Sequence, residues 1–324
     1  MFAGTYSFEV TDKEAAAAKW GLLVAVGNVS NDESNGKKIY WKDTSVIPWT
    51  EFEKQHEPLT GLIGSGGSGV RMKDGTLLFP VEGTKNGKTV SLIIYSSSNE
   101  SGKLSKEMSA DGCSVPSVVE WEGKLMMVTA CDDGRRRVYE IGDKGDSWTE
   151  ALGTLSRVWG NKHKGNVRGV GSGFTTATFG ESDVMLVTLP VCSNRKGKEK
   201  RELHLWLTDN THIVDIGSVS GDDDAAASSL LYKSGTGDND ELIALYEKRK
   251  GDGESSLGMV SVRLTEQLKR VKDVLVTWKK VDETASKLCP STAAKNPSTS
   301  NGCGAVKITD GLVGFLSGNF SGNT

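Results

Sequence analysis

Residues 115–148 read VPSVVEWEGKLMMVTACDDGRRRVYEIGDKGDSW, and this stretch decides the fold. Apolar or alternating runs of strand length occupy residues 115–121, 124–130 and 136–141. Between them lie short glycine-bearing segments, at residues 122–123 and 132–134, of the kind that joins antiparallel strands in hairpins. The stretch therefore predicts an antiparallel meander.

Segments of the same kind recur along the rest of the chain, at residues 20–27, 76–81, 89–96, 174–179, 183–191, 202–208, 228–232, 242–248 and 257–264. The 39 glycines and 7 prolines among 324 residues suit a protein with many tight turns. No helical pattern separates these strands, which excludes a parallel α/β sheet and leaves a propeller or a sandwich. The predicted fold class is all-β.

One segment near the C-terminal end breaks this pattern. From Leu264 onward the apolar residues recur every three or four positions, which predicts an amphipathic helix over residues 264–283. Its other face is a charge run, interpreted as the solvated face of a packing helix in preference to a calmodulin-type or membrane helix. Residues 284–305 are rich in Ser, Thr, Ala and Pro and indicate a linker. A new apolar strand begins within residues 306–324.

Composition and charge exclude several classes of function. A net charge of −3 and a pI near 5.9 argue against nucleic-acid binding, which needs a basic surface. The five cysteines form no CxxC pair and the four histidines are scattered, so we predict no metal site and no cofactor. No run approaches the ~20 apolar residues of a membrane span, and the first residues do not resemble a signal peptide. Sequons for N-glycosylation occur at Asn28, Asn99 and Asn319.

Residues 139–148, YEIGDKGDSW, carry a turn signature with a physical basis. The Asp143 side chain can bond turn amides, Gly145 can supply a positive φ, and Trp148 can cover the apolar side of a hairpin. These residues fit the pattern Ser/Thr-x-Asp-x-Gly-x-x-Trp, with Ile141 in place of its first residue. The pattern is the Asp box of sialidases, and its role is structural.

The neighbouring motifs are more specific than the Asp box alone. In chain order they are CSVP at residues 113–116, VEWEGKL at 119–125, GTLSRVWG at 153–160, LWLTD at 205–209, SSLLY at 228–232 and GLVGFLS at 311–317. Together they closely resemble the trypanosomal sialidase/trans-sialidase superfamily of surface glycoproteins, from Trp20 to Ser317.

The resemblance implies a domain organisation. It implies a six-bladed sialidase-type β-propeller over residues 1–263, with its N-terminal blades missing, and a connecting helix over residues 264–283. The start of a lectin-like β-sandwich over residues 306–324 would follow, so the chain is expected to be truncated at both ends. Cys289 and Cys303 match the linker after the helix, where they could close a disulfide loop in an oxidising compartment.

The resemblance also lets the chemistry be checked position by position. Active members cleave sialosides with a Tyr nucleophile, activated by Glu, and an Asp acid/base, and they grip the sialate carboxylate with three arginines. Val115 stands at the Glu position, Ala130 at the second arginine and Ala227 at the Tyr. Lys200, or Arg201 if the loop shifts by one residue, stands at the third arginine, where Lys would lose bidentate geometry. The first arginine and the acid/base Asp belong to the N-terminal blades.

These replacements predict a catalytically inactive, sialidase-like cell-surface glycoprotein that acts in host-cell or matrix adhesion or in antigenic display. Its expected partners are host glycans or extracellular-matrix and cell-surface proteins, and its expected location is the parasite surface, although no signal peptide or anchor is evident in the chain. Two alternatives stay open. One is an exo-α-sialidase or trans-sialidase acting on sialylated glycans, and the other is a truncated product with no independent function.

Overall fold

The computed structural model describes residues 1–8, 19–30, 36, 38–48, 52, 59–96, 102–151, 169–195, 198–235, 239–249 and 257–288. The chain divides into two compact units, Met1–Lys272 and Asp273–Thr324, and every described strand lies in the first.

The described strands, in chain order, are β1 (Phe2–Phe8), β2 (Lys19–Val29), β3 (Ile39–Pro48), β4 (Leu59–Gly64), β5 (Val70–Arg71), β6 (Leu77–Lys85), β7 (Lys88–Ser96), β8 (Lys103–Leu104), β9 (Cys113–Trp121), β10 (Lys124–Cys131), β11 (Arg136–Gly142), β12 (Ser147–Glu150), β13 (Phe174–Phe179), β14 (Ser182–Arg195), β15 (Lys198–Thr208), β16 (Ile213–Ser218), β17 (Ala225–Lys233), β18 (Glu241–Arg249) and β19 (Leu257–Arg263).

The strands form antiparallel sheets that each use consecutive segments of the chain. The sheet orders are β1-β2-β3; β4-β6-β7-β8, with β5 also paired to β6; β12-β11-β10-β9; β13-β14-β15-β16; and β17-β18-β19. The four sheets from Leu59 to Arg263 form a propeller-like arrangement of blades, and the all-β prediction is confirmed. The strands at residues 2–8, 39–48 and 213–218 had no counterpart among the predicted strands.

The blade β9–β12 shows why its strands are apolar almost without interruption. Leu125 and Met127 pack toward the preceding blade, in a cluster with Leu78 and Ile93. The alternate residues Met126 and Val128 pack toward the following blade, with Phe174, Met185 and Val187. Since successive side chains of a strand point to opposite faces, a strand buried on both faces needs apolar residues throughout.

The hairpin between β11 and β12 contains the Asp-box residues. A short 3-10 turn spans Asp143–Gly145, Gly145 has φ +100°, and Trp148 packs on Tyr139 with ring centroids 5.6 Å apart. The Trp148 indole also donates a hydrogen bond of 3.2 Å to the Gly145 carbonyl. The Asp143 carboxylate accepts from the Ser147 hydroxyl at 3.3 Å. The predicted hydrogen bonds from turn amides to the Asp143 side chain stay a prediction.

A disulfide joins Cys113 to Cys131, which are paired in the β9–β10 ladder with their Cα atoms 4.0 Å apart. The sequence did not predict this bond. The predicted pair Cys289 and Cys303 lies outside the described residues.

An α-helix, α1 (Thr265–Leu288), occupies the region where the apolar spacing predicts one. Within the propeller unit, Leu268 and Val271 are buried. None of the described helices has the length and apolar character that crossing a bilayer requires. The linker and the start of a sandwich predicted after residue 288 lie outside the described residues, and the six-blade count stays a prediction.

Candidate functional site

The positions of Val115 and Ala227 share an unusual backbone feature. Between the pairs Val128↔Ser117 and Ala130↔Ser114, two residues of β9 oppose one residue of β10. Between Ala225↔Lys248 and Ser228↔Tyr246, two residues of β17 likewise oppose one residue of β18. Each is a β-bulge, a device that re-aims side chains and is over-represented beside active sites. Val115 lies in the first bulge and Ala227 in the second.

Val115 is held in a strained conformation. Its φ is +47°, in the left-handed region that is a genuine outlier for a β-branched residue. Its N–H donates a hydrogen bond of 2.8 Å to Oε1 of Glu82, which lies on β6 of the preceding blade. Burial raises the pKa of the Glu82 carboxyl, and the hydrogen bond from Val115 opposes that rise. A carboxylate therefore lies at this site, although it does not come from the position where the motif has Glu.

A backbone segment, residues 169–173, lies beside Ala130 and Ala227. A Cβ placed on Gly169 would be 2.0 Å from the Ala130 Cβ, so the two backbones are in direct contact. A Cβ placed on Gly171 would be 3.8 Å from the Ala227 Cβ. The Gly171 carbonyl also accepts a hydrogen bond of 3.0 Å from the Ser228 N–H. The structure thus brings Ala130 and Ala227 to one place, with the 169–173 segment between them.

A buried arginine fastens this segment to the β9–β12 blade. Arg136, which pairs with Ala130 in the β10–β11 ladder, is only 8% exposed. It donates to the Ser172 hydroxyl at 2.9 Å and to the Val170 carbonyl at 3.3 Å. No described carboxylate neutralises it, and burial lowers its pKa to about 10. The Ser117 hydroxyl donates to the Ser172 carbonyl at 2.6 Å, which adds a second tie to β9.

Hydroxyl groups fasten the same segment to the next two blades. The Gly173 N–H donates to the Thr188 hydroxyl on β14 at 2.8 Å, and the Thr188 N–H donates to the Gly173 carbonyl at 2.9 Å. The hydroxyls of Thr188 and Ser228 are 2.8 Å apart. Ser172 and Thr188 are buried, so these bonds lie in a medium where each unmade bond would be costly.

The candidate ligand residues Lys200 and Arg201 lie on β15, opposite Ser193 and Cys192 respectively. The Arg201 N–H donates to Oδ1 of Asp224 at 3.0 Å, just before β17 begins. Its guanidinium Nη1 is buried without a hydrogen-bond partner among the described residues. Arg201 is therefore a cation near the second bulge with unused hydrogen-bonding capacity.

Three described tyrosines have a shifted pKa, and in each the pKa is raised, which does not favour a nucleophile. Tyr246, opposite Ser228 and next to the second bulge, donates its hydroxyl to Asp223 at 2.8 Å. Burial and this hydrogen bond raise its pKa to about 12. Burial also raises the pKa values of Tyr139 and Tyr232. A phenol with a raised pKa yields less phenolate at neutral pH, the opposite of nucleophile activation.

One cavity among the described residues lies apart from these positions. It has a volume of about 600 Å³ and is lined by parts of β9, β13 and β17, including Val118–Gly123 and Phe174–Thr178. Val115, Ala130 and Ala227 are not among its lining residues. No group of three or more His, Cys, Asp or Glu side chains suited to a metal ion occurs in the part of the chain that the structure describes.

No sequence pattern predicts the residues that organise this site. Arg136 is the middle residue of the run Arg135–Arg137, and it is the one buried member of that run. Glu82 and Ser172 stand in no motif that marks them. The alternation of strand faces was the one usable signal, because it places the middle arginine on the face opposite its two neighbours.

Comparison with known proteins gives consistent matches. A family model described as a BNR repeat-like domain matches residues 1–247. A Trypanosoma cruzi protein named sialidase is 38% identical over 282 residues, which are 85% of this chain and 23% of the relative. Sialidase 85-1.1 of the same organism is 36% identical over 273 residues, 81% of this chain and 35% of the relative.

A solved structure agrees with these sequence matches. It is Trypanosoma rangeli sialidase in complex with 2,3-difluorosialic acid, described as a covalent intermediate. The two chains superpose with a TM-score of 0.69 at 36% identity, over 82% of this chain and 42% of that one. The chain thus spans less than half the length of each of these three relatives.

Proposed function

The chain belongs to the sialidase/trans-sialidase family of Trypanosoma, and from this premise we propose that it is a catalytically inactive member. Its role would be that of a parasite surface glycoprotein, in adhesion to host glycans or matrix proteins or in antigenic display. The observation that supports the proposal is the identity of Val115 and Ala227, each in a bulge, at the two positions where the resemblance implies Glu and Tyr. Neither side chain can accept a proton or attack a carbon.

The surroundings of these positions support the proposal further. A covalent mechanism needs a nucleophile with a base beside it, and Glu82 is the carboxylate that contacts the first bulge. Glu82 has no phenol to activate, since Ala227 has replaced it. Losing one member of a cooperating catalytic set removes most of the rate, and here at least two members are replaced.

The 169–173 segment supports the proposal on steric grounds. An arginine at position 130 would need space beside its Cβ, and Gly169 occupies that space. The segment is held by hydrogen bonds from Arg136, Thr188 and Ser228, so it is a packed part of the fold. Restoring the arginine alone would therefore displace backbone rather than rebuild a carboxylate clamp.

A second candidate function is sialidase or trans-sialidase activity on sialylated glycans. It is favoured by the relatives at 36–38% identity, which are named sialidases. Release of a fluorophore from a sialoside distinguishes the two candidates. Turnover would support the second candidate, and its absence from a folded chain would support the first.

The binding role can be tested directly with the full chain. We would apply it to an array of sialylated and desialylated glycans and to purified extracellular-matrix proteins. Arg201, which is half-buried on β15 beside the second bulge, is the proposed contact, and we expect Arg201→Gln to weaken binding severalfold. Lys124→Gln is the matched control, because it removes one charge from an exposed ion pair with Glu140. A folded chain that binds neither the glycans nor the matrix proteins would contradict the adhesive role.

A further inference from the structure

We propose that the side-chain amide of Asn86 is a site of spontaneous deamidation, and that the isoaspartate formed there loosens the hairpin of β6 and β7. The reaction is intramolecular, because the backbone nitrogen of Gly87 is the nucleophile, and water is the co-reactant. The inference goes beyond the proposed function and does not depend on it, since it concerns the chemistry of one turn.

Asn86 and Gly87 form the two-residue turn between β6 and β7. Lys85 and Lys88 are the last pair of the ladder, so these two residues alone join the strands. Their φ angles are +50° and +76°, the left-handed values that a type I′ turn requires and that the sequence Asn-Gly favours. Both residues are exposed in the described chain. The amide of Asn86 therefore lies next to a glycine at the tip of a hairpin.

The nitrogen that would attack this amide is accessible. In a two-residue loop the last ladder bonds join the flanking residues, so the Gly87 N–H takes no part in the ladder. A Cβ placed on Gly87 would meet no atom of the described residues within 4 Å. Rotation about the Cα–C bond of Asn86, which brings the Gly87 nitrogen onto the Asn86 Cγ, thus meets no neighbouring side chain.

Charge at the base of the turn favours the reaction. The attacking species is the deprotonated amide nitrogen, which is an anion. Lys85 and Lys88 are directly opposed, so their side chains share one face of the sheet and place two cations near this nitrogen. A nearby cation favours the negatively charged form of a group. Like charges that are directly opposed also destabilise their pair, which helps the turn to open.

Asn210 provides a contrast within the same chain. Its φ of +72° is also left-handed, and it is exposed in the turn between β15 and β16. The next residue is Thr211, whose N–H donates a hydrogen bond of 2.8 Å to Oδ1 of Asp209. This carboxylate holds the proton on the nitrogen, and the branched side chain of Thr211 crowds it. Asn210 should therefore react more slowly than Asn86.

The covalent steps balance without an oxidant or a reductant. The Gly87 nitrogen loses its proton and bonds to the Asn86 Cγ, while the bond from Cγ to Nδ2 breaks and ammonia leaves with that proton. The product is a cyclic imide. Water then adds to one of its two carbonyl carbons and opens the ring, which gives either aspartate or isoaspartate at position 86.

The isoaspartate product does not fit the turn. Its main chain runs through the side-chain carbons and is one carbon longer, so the pair of left-handed φ angles that closes the hairpin is lost. Fraying would begin at the pair Lys85↔Lys88. Glu82, the carboxylate that contacts the first bulge, lies on the same strand β6. The modification thus acts on the hairpin that carries this carboxylate.

The site is tested on the full chain, incubated in the folded state at mildly alkaline pH. After cleavage at glutamates, tandem mass spectrometry locates the gain in mass that accompanies replacement of NH2 by OH. We expect this gain to accumulate at Asn86 about tenfold faster than at Asn210, because glycine leaves its nitrogen open. Equal rates at the two residues, or a gain at Asn86 only after unfolding, would overturn the proposed site.

The loosening of the hairpin has its own readout, which is hydrogen exchange of the peptide that spans β6 and β7. Enzymatic methylation of isoaspartate measures how much product has formed. We expect this peptide to exchange severalfold faster in aged than in fresh wild-type chain. The matched control is Asn86→Gly, because Gly-Gly keeps the type I′ turn without the amide, and its exchange should not change with age. Unchanged exchange in wild-type chain that contains isoaspartate would overturn the loosening.

Discussion

Two positions on strand β9, three residues apart, differ in what the surrounding structure demands of them. Val118 is 2% exposed and packs between Leu78 and Met127 in the core toward the preceding blade. Val115 lies in the bulge with φ +47°, where a β-branched side chain is strained. At Val118 an apolar side chain suits the buried position. At Val115 the backbone adopts a left-handed conformation that valine does not favour. Core packing therefore determines the fold of the blades, whereas a few side chains at the bulges, which packing does not constrain, determine whether catalysis is possible.

The sharpest test makes the same substitution at both positions. Val118→Gly should destabilise the protein by about 3–5 kcal/mol, because it removes a buried side chain, opens a cavity and increases the conformational entropy of the unfolded chain. Val115→Gly should stabilise it by up to about 1 kcal/mol, because relief of the left-handed strain exceeds the entropic cost of glycine. Urea unfolding of both variants gives the two free energies. Similar losses of unfolding free energy in the two variants would contradict the proposed difference between positions 115 and 118.

Removal of the Cys113–Cys131 disulfide tests how much this covalent bond at the bulge end of β9 stabilises the fold. Its cysteines are 18 residues apart, and loops of this size stabilise by about 3 kcal/mol when closed. We expect the double variant Cys113→Ala/Cys131→Ala to lose about that much free energy of unfolding. Wild-type protein unfolded with a reductant present should match the variant. If oxidised wild type and variant unfold at the same urea concentration, the bond contributes nothing to the fold.

Substitution of Arg136 tests whether charge-assisted hydrogen bonds anchor the 169–173 segment. Arg136→Met should cost about 1.5–3 kcal/mol, because Ser172 and Val170 lose their donor in a buried place. Hydrogen exchange of the Gly171 and Gly173 amides should accelerate in this variant. The control is Arg137→Met, which removes partly exposed ion pairs with Glu150 and Asp133 and should cost about 0–1 kcal/mol. Equal effects of the two variants would argue against anchoring.

The smallest effect concerns Glu82, whose pKa burial raises in the folded state. The folded protein then keeps a proton that the unfolded chain releases near its pKa of about 4.3. This contribution to stability is full below that pH and is lost as the pH rises through the raised folded value. Glu82→Gln should therefore lose less stability between about pH 4 and about pH 7 than wild type does. Parallel pH profiles of the free energy of unfolding would contradict the buried placement.

The meander of β9, β10 and β11 could be predicted because apolar runs and glycine-bearing turns are local signals. The Cys113–Cys131 bond could not be predicted in the same way. Counting back from the turn at Glu122-Gly123 gives a ladder in which these cysteines miss each other by one residue. The bulge supplies the missing residue, and nothing local in the sequence indicates a bulge at Val115.

The candidate site was predictable only where a motif carried it. The resemblance assigns catalytic positions to Val115 and Ala227, since each stands beside a recognisable run of residues, and this assignment stays a prediction. Arg136, Glu82 and the 169–173 segment required the positions of three blades relative to one another. Such contacts depend on register and packing over long sequence separations, which alternation and turn signals do not fix.

The most direct measurement is fluorophore release from an umbelliferyl sialoside by the purified chain, after cooperative unfolding has shown that it is folded. With Val115 and Ala227 at the two bulges, we predict a rate equal to that without protein at every sialoside concentration. The Trypanosoma rangeli sialidase assayed in parallel provides the positive control. Saturable release by the folded chain that disappears when it is unfolded would contradict the proposed loss of catalysis.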